Sequence, residues 1–189
     1  MAVNSLMVEL GTPAPDFSLP SVTTGEKVTL ASFADASALL VVFMSNHCPY
    51  VRHVEAGFAS FASEYQSKGL AVVAISANDV VSYPEDAPER LVDQIQRAGF
   101  TFPYLYDESQ AVAREYRAAC TPDFFLYDSA RRLAYRGQFD DSRPKSTLEV
   151  TGDSLRAASE SVLKGEAVPE PHHPSIGCSI KWRAGNEPE

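Results

Sequence analysis

Apolar residues along this chain switch between two periods, and each switch marks a change of element. Residues 39–44 form an unbroken apolar run, LLVVFM, as expected of a strand buried on both faces. A polar turn follows, Ser45-Asn46-His47, and then Val51, Val54, Phe58, Phe61 and Tyr65 recur at spacings of three and four. That spacing predicts an amphipathic helix starting at Cys48, with Gly69 suited to stop it. Residues 71–75, AVVAI, read as a second buried strand, and two apolar strands joined by a helix make a βαβ unit.

On either side the pattern is choppier. Residues 11–18, GTPAPDFS, are too proline-rich for a helix, while residues 16–19 and 27–30 flank a turn through Thr23, Thr24 and Gly25 and predict a hairpin. Residues 76–85 form a mostly polar loop. Asp86-Ala87-Pro88-Glu89 then has the pattern of a capping box, and Leu91, Ile95 and Ala98 carry a helix to Gly99. A short strand is expected over residues 102–106, confined to an edge by Pro103. Asp107 and Gln110 open a short helix through Tyr116, residues 124–127 and 133–136 form two adjacent strands, and Thr151 caps a last helix that closes at Gly165. Residues 1–165 are thus expected to form one domain, and residues 166–189, with four prolines, an extended tail. Ile176, Cys178, Ile180 and Trp182 alternate in that tail, a period of two that suits docking one face on the body.

Composition narrows the function. With 189 residues and 44% apolar content the chain can bury a sizeable core. A net charge of −9, from 25 acidic and 16 basic residues, disfavours polyanionic partners such as nucleic acid. No apolar run reaches membrane-spanning length, and MAVNSLMVEL lacks the basic residue of a secretory signal, so a cytoplasmic location is expected. Three cysteines, Cys48, Cys120 and Cys178, are too few for a disulfide scaffold and suit redox chemistry, catalysis or plain burial.

Cys48 stands out because a helix start favours an anion, through unpaired backbone N–H groups and the positive end of the helix dipole. A thiolate is such an anion, and Arg52, His47 and His53 add cationic neighbours. Pro49 follows at the first helical position, where its missing N–H costs nothing. Strand, Cys48-Pro49-Tyr50-Val51, helix resembles the thioredoxin active-site unit, with Cys48 at the first cysteine of the CxxC motif and Val51 at the second. Dithiol exchange within one motif is therefore unavailable. Ser45-Asn46-His47-Cys48 resembles the (Thr/Ser)-x-x-Cys of peroxiredoxins, whose hydroxyl helps position the peroxide, with Val41 in place of that motif's leading proline. The Ala14-Pro15-Asp16-Phe17 stretch is similar to the opening of the AhpC/TSA superfamily. Together with the element order, the resemblance implies an α/β, thioredoxin-like fold: a central mixed sheet flanked by helices, an N-terminal hairpin, a peroxiredoxin-type insertion and an extended C-terminal tail.

By the same resemblance, Thr121-Pro122 matches the loop whose cis-proline packs against the active cysteine, which places Cys120 near Cys48. Cys120 is then either a resolving thiol or a small buried residue. Cys178 is either a second resolving thiol carried by the tail or, with His172 and His173, part of a metal site; no metal is assigned. Arg136 loosely fits the arginine with which peroxiredoxins steady the thiolate, and a surface ion-pair cluster explains it better. The expected catalytic set is Cys48, Cys120, Ser45, Arg52 and Pro122, with His47, Asn46 and Thr121 binding substrate. The implied activity is peroxide reduction through a sulfenic acid on Cys48 resolved by a second thiol, with no cofactor. Thiol-disulfide exchange without peroxidase activity and a binding or metal-binding module on a redox fold are the alternatives. The implied partners are a small peroxide or disulfide, an external thiol reductant such as thioredoxin, and a second copy in a homodimer.

Overall fold

The apolar run expected at residues 39–44 is buried on both faces over Ala38–Phe43 and forms the middle strand of a five-stranded sheet. The computed structural model describes residues 2–188. Its elements follow in the order β1 (Ala2–Asn4), β2 (Ser18–Pro20), β3 (Lys27–Thr29), β4 (Ala38–Phe43), α1 (Pro49–Gln66), β5 (Leu70–Ser76), α2 (Pro88–Ala98), β6 (Tyr104–Tyr106), α3 (Ala111–Glu115), β7 (Cys120–Thr121), β8 (Asp123–Tyr127), β9 (Leu133–Gly137), α4 (Asp153–Leu163) and β10 (Ile176–Ser179). The main sheet runs β6-β5-β4-β8-β9, with β6, β5, β4 and β9 running in one direction and β8 antiparallel to its neighbours β4 and β9. This is a mixed, thioredoxin-like sheet, and β6 lies at its edge as Pro103 requires.

Side chains alternate across that sheet, so its two faces have separate cores. On one face the stripe of α1 meets Leu91 of α2 and Leu155, Ala158 and Val162 of α4. Phe58 sits at its centre, with ring centroids 5.4–6.3 Å from those of Phe61, Phe100, Phe102, Phe124 and Phe139. The other face is covered by Val112, Ala113 and Tyr116 in and just after α3, by Phe17 and Leu19, and by Ile180 of the tail.

Three local expectations need correction. Asp86 does not cap α2: the cap position is Ala87, and the Asp86 side chain turns inward from a 3-10 turn, Pro84–Asp86, toward polar donors near Cys48. The cap of α3 is Gln110, in a left-handed conformation at φ 63°, and Asp107 instead takes the Ala113 N–H at 2.9 Å. Gly152, not Thr151, caps α4, because φ is +71° and a Cβ there would lie 2.5 Å from the Phe139 ring.

The tail is tied to the body along its length. β10 pairs antiparallel with β1 on one side and with β7 on the other, Cys178 opposite Thr121 and Ser179 opposite Cys120. Gly177 makes this approach: a Cβ on it would lie 2.0 Å from the Thr121 carbonyl oxygen. Ser175 Oγ donates to Pro122 O at 2.9 Å, and the Ile180 N–H donates to Ala119 O at 3.1 Å. No helix among the described residues is long and apolar enough to cross a membrane.

Candidate active site

Cys48 occupies the cap position of α1, in extended conformation, with Pro49 first in the helix. Its N–H donates to Ser45 Oγ at 3.2 Å, and its thiol donates to Thr121 O at 3.1 Å. The Thr121-Pro122 bond is cis, and this loop is what brings the Thr121 carbonyl onto the sulfur. Cys48 has no exposed surface.

Ser45, Asn46 and His47 converge on Asp86, whose local sequence pattern points only to a helix cap. The Asp86 carboxylate is fully buried and accepts Ser45 Oγ at 3.0 Å, Asn46 N–H at 2.6 Å, His47 N–H at 3.2 Å, His47 Nδ1 at 2.8 Å and Asn78 Nδ2 at 2.6 Å. Burial pushes its pKa up, but the hydrogen bonds from His47, Asn78 and Ser45 outweigh it and hold the carboxyl below its ordinary range. The His47 ring stacks on Tyr83 at 5.4 Å between centroids. Arg52 reaches Asn46, with Nε 2.6 Å from its carbonyl and Nη2 3.2 Å from Oδ1, so the expected cation is spent on the turn and not on the sulfur. Arg97 adds a second guanidinium contact to Asn46 Oδ1 at 3.0 Å.

Strand parity separates the other two cysteines. Cys178 and Thr121 are paired, so their side chains leave the ladder on one face, while Cys120, adjacent to Thr121, leaves on the other. The Cys178 side is the Cys48 side, since Cys178 packs against the core cluster that contains Cys48, and burial, then the nearness of Cys48, push its thiol up to about 11. Cys178 is partly exposed, whereas Cys120 is fully buried with Sγ 3.6 Å from Pro122 O. Burial, then Asp123, raise the Cys120 thiol far above its usual value. Asp123 itself is buried, with one oxygen unpartnered, and burial lifts it to about 7 against the N–H groups of Ala119 and Cys120.

Arg136 is remote from this chemistry, with Nε on Val8 O at 2.7 Å and Nη1 on His172 Nδ1 at 2.7 Å. His172 is thereby tied to Arg136, and among the described residues no group of three His, Cys, Asp or Glu converges to hold a metal ion. The signal that would have found Asp86 is long-range, since it is not near Cys48 in the chain.

A thioredoxin-like fold with a cysteine at a helix start beneath a cis-proline loop defines a thiol-dependent redox enzyme. The chain belongs to the AhpC/TSA family, which matches residues 10–136. It is similar to a hypothetical protein from Sinorhizobium meliloti, 53% identical over 96% of this chain and 99% of that one, with a TM-score of 0.94. It is also similar to an uncharacterized conserved protein from Geobacillus kaustophilus, 48% identical over 97% of each, again with a TM-score of 0.94. A thiol:disulfide interchange protein from Chlorobium tepidum shares the fold at 18% identity over 82% of this chain and 98% of that one, with a TM-score of 0.62. No curated protein matches the chain.

Proposed function

We propose that the protein reduces small peroxides, with Cys48 as nucleophile and Cys178 as the thiol that resolves it. The strand pairing that sets Cys178 opposite Thr121, whose carbonyl takes the Cys48 thiol, carries this reading. The Cys48 thiolate attacks one peroxide oxygen, the O–O bond breaks, and the leaving oxygen takes a proton to depart as water or alcohol. Cys178 sulfur then attacks the Cys48 sulfenic acid; its proton and the hydroxyl leave as water and a disulfide remains. An external dithiol such as thioredoxin returns the pair to two thiols, becoming a disulfide itself. The start of α1 stabilises the thiolate. Ser45, Asn46 and His47 shape the turn through Asp86, Thr121 and Pro122 fix the sulfur, and Cys120 serves as packing. The full burial of Cys48 favours an oxidant of a few atoms over a polypeptide. A reducing compartment such as the cytoplasm keeps the three thiols free, which fits an antioxidant role.

One observation favours a second reading. Arg52 is held on Asn46, so no side-chain cation from α1 steadies a peroxide at the sulfur, and thiol-disulfide exchange through the same Cys48–Cys178 couple needs none. Peroxide oxidation of wild type, Cys178→Ser and Cys120→Ser, followed by peptide mass spectrometry, decides between them. Wild type and Cys120→Ser are expected to form the Cys48–Cys178 disulfide rapidly, and Cys178→Ser to stop at the sulfenic acid. Oxidation of Cys48 no faster than that of a free thiol would leave disulfide exchange, and a Cys48–Cys120 crosslink would transfer the resolving role.

A further inference from the structure

Two thiols from distant parts of a chain meet only if both backbones are held to a common reference. The Cys48 turn is anchored by Asp86, which takes the N–H groups of Asn46 and His47 and the Ser45 hydroxyl that in turn accepts the Cys48 N–H. The tail is anchored by Asn78, whose Oδ1 accepts the Lys181 N–H at 2.8 Å, just beyond the end of β10. These anchors are bonded to each other, because Asn78 Nδ2 donates to Asp86 Oδ2 at 2.6 Å. Both side chains are buried, Asp86 completely and Asn78 to 3% exposure, where a broken hydrogen bond is costly. The flanking residue Asp79 adds its own N–H to Lys181 O at 2.8 Å.

We propose that Asp86 and Asn78 are positioning residues that bracket the Cys48 turn and the Cys178 strand in one register; this rests on the Cys48–Cys178 couple proposed above. The chemistry of the pair explains the residue types. An amide has one end that donates and one that accepts, so Asn78 can serve a carboxylate and a backbone N–H at once. Asp86 must accept on both oxygens, since every group aimed at it is a donor or, in His47 Nδ1, able to be one. The couple therefore depends on residues that never touch the sulfurs.

The test compares the full chain as wild type, Asn78→Ala, Asp86→Asn and the exchange Asn78→Asp with Asp86→Asn. In the exchange, the new amide at position 86 donates to the new carboxylate at position 78, whose other oxygen still accepts the Lys181 N–H. The bracket is rebuilt with reversed polarity, while the carboxylate beside His47 is gone. Two quantities are read: the rate at which iodoacetamide labels Cys48 in reduced protein, and the equilibrium constant of the Cys48–Cys178 disulfide against glutathione. Each single substitution is expected to speed labelling and weaken the disulfide by about fivefold or more, the equivalent of one buried hydrogen bond. The exchange is expected to return both to within about twofold of wild type. Labelling of Asn78→Ala at the wild-type rate would overturn the bracket, and this variant removes only a side-chain amide, so it decides the matter whether or not the exchange folds. An exchange as impaired as Asp86→Asn would also overturn it, assigning Asp86 to act through its charge on His47. Absence of any Cys48–Cys178 disulfide in wild type would refute the couple itself, while the labelling rates still decide the bracket.

Discussion

Gly177→Ala probes the contact on which the thiol pair depends. A Cβ at this position would stand 2.0 Å from Thr121 O and 2.6 Å from its carbonyl carbon, both backbone atoms, so no side chain can swing aside. Restoring an ordinary C···O contact of about 3.3 Å requires the strands to part by about 1.3 Å. Ladder bonds of about 2.9 Å would then stretch beyond about 4 Å and be lost. Two residue pairs join β10 to β7, so their loss costs about 2 kcal/mol at about 1 kcal/mol for each hydrogen bond. Weakening by that amount lowers the equilibrium constant for docking Cys178 beside Cys48 by about 30-fold. After a peroxide pulse, a sulfenic-acid trap read by mass spectrometry is therefore expected to find a longer-lived sulfenic acid on Cys48, with disulfide closure slowed by up to about 30-fold. The midpoint of thermal unfolding is expected to fall by about 4–8 °C. Closure of the Gly177→Ala disulfide at the wild-type rate would refute the reasoning, since the backbone clash admits no tight docking.

Other consequences can be measured separately. Asp123 carries a stability cost that depends on pH: its folded pKa of about 7 lies above the unfolded value near about 3.9, so the folded chain keeps a proton that the unfolded chain releases. Stability from this group therefore falls as pH rises from about 4 to about 7 and is flat above. Asp123→Asn is expected to gain up to about 4 kcal/mol over wild type at pH 8 and almost nothing at pH 4, and equal gains in urea unfolding at both would contradict it. Cys120, buried and held as a thiol, is expected to resist iodoacetamide at pH 8 in native protein and to label fully in urea; native labelling as fast as that of Cys178 would refute the packing role. Phe58→Ala opens the centre of the aromatic cluster and is expected to cost about 3–5 kcal/mol in urea unfolding, with a loss below about 1 kcal/mol showing that the cluster carries little.

Local chemistry made much of this protein legible from its sequence. The buried run that became β4, the three-and-four spacing along α1, the stops at Gly69 and Gly99 and the hairpin before β4 all depend on residues within one element. So does the placing of Cys48 at a helix start. Asp86 was misread for the same reason: Asp-Ala-Pro-Glu satisfies a capping pattern locally, and only the approach of the Ser45 turn, 41 residues earlier, gave the carboxylate better donors. The choice between Cys120 and Cys178 was equally closed to the sequence. Both are cysteines far from Cys48, and which one faces it is set by the register of β10 on β7, where one residue of slip would exchange the two faces of the strand. The sequence by itself determined most of the elements and the position of Cys48 at a helix start, because those follow from short-range periodicity and local turn chemistry. Tertiary structure alone decided that Cys178 lies opposite Thr121 and that Asp86 holds the Cys48 turn, because strand pairing and buried hydrogen bonds join residues whose separation along the chain carries no pattern.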